Sequence, residues 1–330
     1  MKPKLLSILL LIISANYCSA QSIKTLAEIN TSLRGLSVVD DKTIWASGSN
    51  GMVGRSLDSG NSWRWLTVDG FEKIDFRDIE AFDETSAVIM GTSVPAYILR
   101  TSDGGESWKV VFEDTTKGMF LDAMEFWNDN SGIVIGDPID SKFFVARSFD
   151  GGFTWRKIPP EYFPQADTGE ACFAASGTNV CKINNKEAVF VSGGKKSRIF
   201  IRDKKIDLPF TTGTETAGGN SIATKNNKIF IVAGGDYLSP DSTSKNCFIS
   251  KDGGNRWIKP VTPPSGYRSC VEYIVKKNWI TCGLNGVDYT SDDGINWKLI
   301  SNNGYNVCKK AKNGKAVFLA GDGKVGKLIF

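Results

Sequence analysis

The chain has 330 residues, 41% hydrophobic and 23% charged, a balance that fits a globular protein and excludes a disordered or collagen-like one. Its net charge is only +4, with Lys and Arg dispersed along the chain, which argues against a nucleic acid partner. Histidine is absent, which excludes Ser-His-Asp and Cys-His nucleophiles, His-ligated zinc and a His general base.

The N-terminus places Lys2 and Lys4 before the apolar run 5–13 and a small-residue segment ending at Ala20. The run is too short to span a bilayer, so residues 1–20 read as a cleavable export signal and 21–330 as one domain. The expected location is the periplasm or the outside of the cell. Six cysteines follow, and Cys270 and Cys282 flank a hairpin turn at 276–278, which makes them a candidate disulfide. Small buried thiols are the alternative.

From residue 31 onward one pattern recurs: an apolar inner strand, a polar turn, a second strand ending near Gly, a third strand, then Ser/Thr-x-Asp-x-Gly-x-x-Trp. The motif carries Asp58 and Trp63, Asp103 and Trp108, Asp150 and Trp155, Asp252 and Trp257, and Asp292 and Trp297. Each residue type suits a tight turn between antiparallel strands. The carboxylate accepts hydrogen bonds from free N–H groups, Gly tolerates positive φ, and Trp buries a large ring. Successive tryptophans are 45, 47, 102 and 40 residues apart. The long gap is about two repeats, so a blade lacking the motif is expected inside it.

The blades are read as 31–68, 75–113, 117–158, 169–208, 218–261 and 267–300. After Ile300 three strands remain, at 305–309, 315–320 and 326–330, and the segment 22–29 supplies a fourth. This predicts an all-β, seven-bladed β-propeller, its ring closed by the N-terminal strand in the last blade, so that no sheet edge is left unpaired.

The repeated turn resembles the Asp-box, or bacterial neuraminidase repeat, of sialidases, sortilin-type receptors and photosystem II assembly factors. Over nearly the whole mature chain the plan is similar to the photosystem II stability and assembly factor family. The resemblance implies a structural role for the boxes and an extracytoplasmic role in handling other proteins or cofactors.

Propeller ligands use the face where inner strands begin. Those starts read Leu33-Arg34-Gly35, Phe76-Arg77-Asp78, Leu121-Asp122-Ala123, Gly169-Glu170-Ala171, Gly219-Asn220-Ser221, Arg268-Ser269-Cys270 and Tyr305-Asn306-Val307. Arg34, Arg77 and Arg268 are candidates to clamp a carboxylate or phosphate, with Asp78, Asp122 and Glu170 as partners and Glu272 further along its strand. A hydrated channel whose charges pair with one another is the other reading. Asp137, Asp140, Asp236 and Asp241 occupy loops on this face but match no EF-hand spacing, and no metal or cofactor is predicted. Gly321-Asp-Gly-Lys-Val-Gly326 has the glycines of a dinucleotide turn, yet only four residues follow it, too few for the required helix.

The reading is a non-catalytic, monomeric binding or assembly module whose partner is a protein or a small anionic ligand. A sialidase-like glycoside hydrolase is the alternative, since that chemistry uses an arginine cluster, a Tyr such as Tyr267 or Tyr305, and Glu. The sialidase Phe-Arg-Ile-Pro signature is only echoed by Phe76-Arg77-Asp78-Ile79. A propeller oxidoreductase is the third class.

Overall fold

A computed structural model describes residues 21–184, 187–201 and 204–330, and the export signal expected at 1–20 lies outside them. The described residues are almost entirely β-strand and turn, with one 3-10 turn at Pro160–Tyr162. Among them no helix is long and apolar enough to cross a membrane.

The strands form six antiparallel sheets. Phe76–Ala81, Ala87–Gly91, Ala96–Thr101 and Lys109–Asp114 make one four-stranded sheet in up-and-down order. Leu121–Phe126 opens a second, and Cys270–Val275, Asn278–Gly283, Gly286–Thr290 and Lys298–Ser301 form a third. Val180–Lys182 is the inner strand of a fourth, which runs through Ala188–Val191 and Arg198–Ile201 to Lys204–Asp207. A five-stranded sheet carries Ala217–Lys225 and recruits Glu170–Ala171 and Gly193–Gly194 at its edge.

The seven-bladed expectation is corrected here, because there are six sheets. The strand Ser22–Val38 runs unbroken for 17 residues. Its first part pairs with the C-terminal strand, from Ser22 opposite Ile329 to Glu28 opposite Lys324. Its second part pairs with Ile44–Gly48, from Leu33 opposite Gly48 to Val38 opposite Ile44. What reads in sequence as a first and a last blade is therefore hydrogen-bonded into one six-stranded sheet. Among the described residues, that sheet contributes two inner strands, Ser22–Val38 and Val307–Lys310, which touch each other and the inner strands of the neighbouring sheets.

The five Asp turns share one geometry. In the first, the Ser56 hydroxyl lies 2.9 Å from Asp58 Oδ1 and accepts the Gly60 N–H at 2.9 Å, while Asp58 Oδ1 accepts the Ser62 N–H at 2.8 Å. Asp103, Asp150, Asp252 and Asp292 likewise accept the N–H four residues on, at 2.9–3.0 Å. The Ser107 hydroxyl and N–H hold the Asp103 carboxyl down to about 2. The glycine two residues after each Asp has φ between +83° and +88°, a region closed to most side chains. At Gly254 a Cβ would also stand 2.7 Å from Ile201 Cδ1 of the preceding sheet, so the turn is a point of contact between blades.

The tryptophans after the turns differ in how their N–H is satisfied. Trp63 and Trp257 donate to the carbonyls of Gly60 and Gly254 at 3.1 and 3.0 Å, whereas the Trp155 and Trp297 N–H groups are buried without a hydrogen-bond partner. Each turn rests on the first hairpin of its own sheet, as in Ser59 N–H to Lys42 O and Gly104 N–H to Thr85 O. The Asp turns thus lie at the end of the ring where inner strands finish, away from the face where they begin.

Candidate functional site

Along every inner strand the early residues face one end of the hub and the later residues the other, which divides it into two chambers. Between them runs a belt of small buried polar groups. Ser176 Oγ lies 2.6 Å from Thr178 Oγ1 and donates to Ser269 O at 2.7 Å, Thr178 donates to Ser221 Oγ at 2.7 Å, and Ser269 donates to Asn306 O at 2.6 Å. These bonds satisfy side chains that have no access to water and tie inner strands of different sheets together.

The chamber at the strand starts has a volume of about 440 Å³. Arg34 and Arg77 enter it half-buried, against walls of Phe120, Phe173, Tyr237 and Tyr267. Arg77 Nε donates to Asp75 at 2.7 Å, and its Nη1 reaches Ala174 O at 3.4 Å. Arg34 Nη1 reaches Ala175 O at 3.4 Å. Burial, and then the charge of Arg77, push the Arg34 guanidinium below its ordinary range. Two neighbouring cations, one of them paired with Asp75 and both with long bonds to carbonyls, form a site that an incoming anion would relieve. Asp137 is the acidic group of this chamber. Burial outweighs the bond it accepts from Cys172 N–H at 2.9 Å and pushes its carboxyl up to about 6.

The opposite chamber, about 230 Å³, is lined by Asp78, Glu80, Glu125 and Glu272 together with Lys182, Lys309, Lys310 and Lys312. Two of its charge pairs are direct: Lys312 meets Glu80 at 2.7 Å and Lys182 meets Glu125 at 3.6 Å, while Glu272 accepts the backbone N–H of Lys310 at 3.1 Å. Burial pushes Glu272 up to about 7 against the pull of Lys309. Burial disfavours the Lys309 ammonium too, but Glu272 and Glu125 together hold it above its ordinary range.

The structure therefore distributes the candidate residues among three places. Only Arg34 and Arg77 share the open chamber at the strand starts. Asp78 and Glu272 line the opposite one. Asp78 also accepts the N–H groups of Ile79 and Met124, at 2.8 and 2.7 Å.

The other three are inside the walls. Arg268 is 0% exposed, paired with Asp288 and donating to Asn285 and the Tyr267 carbonyl. Glu170 is buried against Arg198 and accepts the Ser192 hydroxyl. Asp122 is 0% exposed, within the wall, and burial pushes its carboxyl well up. Asp122, Glu170 and Arg268, expected at the ligand face, thus stand buried in the walls. Sequence reading did not single out Phe120, Phe173 and Tyr237 as lining, since they come from loops whose course only the fold defines. Cys270 and Cys282 stand directly opposite each other in the ladder, as free thiols.

Comparison with solved structures decides the fold. The chain is a β-propeller. It is similar to "YCF48 bound to D1 peptide" at 14% identity and a TM-score of 0.64, over 94% of this chain and 95% of that one. It is similar also to YCF48 from Cyanidioschyzon merolae at 14% identity and a TM-score of 0.65, over 93% of this chain and 98% of that one. The WD40 β-propeller domain of Doa1 matches at 13% identity and 0.64, over 94% and 97%. No family model and no curated protein matches.

Proposed function

We propose that this propeller is a non-catalytic binding module that takes a carboxylate-bearing peptide segment of a partner protein in the Arg34/Arg77 chamber. The observation that carries the reading is the pair of half-buried guanidiniums, whose long bonds to carbonyls leave donors for an anion, in a chamber with aromatic walls for side chains. A neighbouring structure described as YCF48 bound to D1 peptide supports a peptide as the ligand. The reading treats the five turns as Asp-boxes, the chain as exported after cleavage at Ala20, and the mature protein as a monomer without a cofactor.

The withdrawal of Arg268 into an ion pair with Asp288 weighs against the sialidase alternative, because only two of three arginines then reach one chamber. Calorimetric titration with an acidic peptide and its amidated counterpart tests the proposal. Binding that favours the free carboxylate and falls about tenfold or more in Arg77→Ala supports it. Equal binding of both peptides by Arg34→Ala/Arg77→Ala and the parent overturns it, as does turnover of an aryl sialoside.

A further inference from the structure

Three cysteines distant in sequence converge in the wall beside the hub. Cys270 begins an inner strand, Cys282 lies opposite it on the next strand of the same sheet, and Cys308 comes from the neighbouring inner strand. All three are 0% exposed, and their sulfurs lie within 4.8 Å of one another. The Cys270 and Cys308 sulfurs are 3.6 Å apart, far longer than the ~2.05 Å of a disulfide. Three thiolates around one ion at a bond length of about 2.3 Å stand roughly 4 Å apart, so the observed spacing needs little adjustment.

We propose that Cys270, Cys282 and Cys308 form a buried trigonal site for a soft monovalent metal ion, copper(I). The ligand set argues for this ion. Structural zinc sites close with four ligands, and here no carboxylate joins the group and the chain has no histidine. The three sulfurs belong to fully buried residues of one hydrophobic cluster, away from solvent, and thiolates select copper(I). The Cys308 N–H points to Cys270 Sγ at 3.4 Å and so helps to orient that sulfur. Binding is an exchange without electron transfer. One copper(I) replaces three thiol protons, including the one Cys270 donates to Cys308 O, and the protons leave to solvent.

Because the sulfurs are enclosed, the ion enters as the chain folds. The full chain, refolded under reducing and anaerobic conditions, is titrated with copper(I) against a colorimetric chelator. One equivalent is expected per chain, with thiolate-to-copper charge-transfer absorption and a raised Tm. Cys308→Ala is expected to weaken binding by more than about 100-fold, the upper end of what losing an outer partner costs. Cys247→Ala, which removes a buried thiol in a different sheet, is expected to leave it unchanged. If Cys308→Ala does not fold, Cys282→Ser takes its place, and the parent titration is decisive in either case. No copper retained by the parent, equal retention by Cys308→Ala, preference for zinc over copper(I), or a disulfide among the three in the chain as isolated overturns the site.

Discussion

Arg34 and Arg77 reach across one chamber to consecutive carbonyls, those of Ala175 and Ala174, at 3.4 Å each. Both bonds are long for a charged donor; Arg77 is held besides by its ion pair with half-buried Asp75 at 2.7 Å, which is worth little at such exposure. Replacing either arginine should therefore leave stability nearly unchanged while removing affinity. Arg34→Ala and Arg77→Ala are each expected to shift the urea midpoint little and to weaken a carboxylate peptide about tenfold, read by urea titration and calorimetry side by side.

Asp137 gives the same chamber a pH dependence. Its carboxyl titrates at about 6, so it becomes neutral as pH falls through that value and ceases to repel an anion. Affinity for an acidic peptide is expected to rise between pH 7.5 and 5.5. Asp137→Asn should bind at pH 7.5 as tightly as the parent does at 5.5 and show a flat profile there.

The Arg268 and Asp288 pair is wholly enclosed, and Asp288 also accepts from the Ser265 hydroxyl at 2.8 Å. Removing one partner strands a charge in the wall. Arg268→Ala is expected to lose about 3–5 kcal/mol in denaturant unfolding, with Asp288→Asn a smaller loss because the amide remains a hydrogen-bonding group.

Asp103 closes its turn by accepting the Ser107 hydroxyl and N–H, which keeps its carboxyl below the unfolded range. A depressed carboxyl contributes stability above the unfolded value near 4 and loses it as pH falls toward 2. Asp103→Ala is expected to lower Tm by about 2–4 °C at pH 7, with the difference from the parent shrinking at pH 2.

The turns and strand order were legible because both depend on residues close in sequence. Ser56, Asp58, Gly60 and Ser62 complete their bonding within seven positions. The blade count was not legible, since nothing local says that a strand beginning at Ser22 will continue unbroken to Val38 and join two groups of strands. The division of the site residues was not legible either. Arg77 and Asp78, taken as one rim, part company where the ladder register shifts between Phe76 and Asp78. Arg268 falls one place earlier than Arg34 in the aligned strand starts, in register with Leu33, and a countercharge two strands away, Asp288, draws it into the wall.

Ser22 lies opposite Ile329, so two segments far apart in sequence are partners in a single ladder. A ribosome must deliver nearly every residue before that ladder can form. Until then the strand edges that this ladder joins are bare, and closing it fastens the segment beginning at Ser22 to the one ending at Ile329.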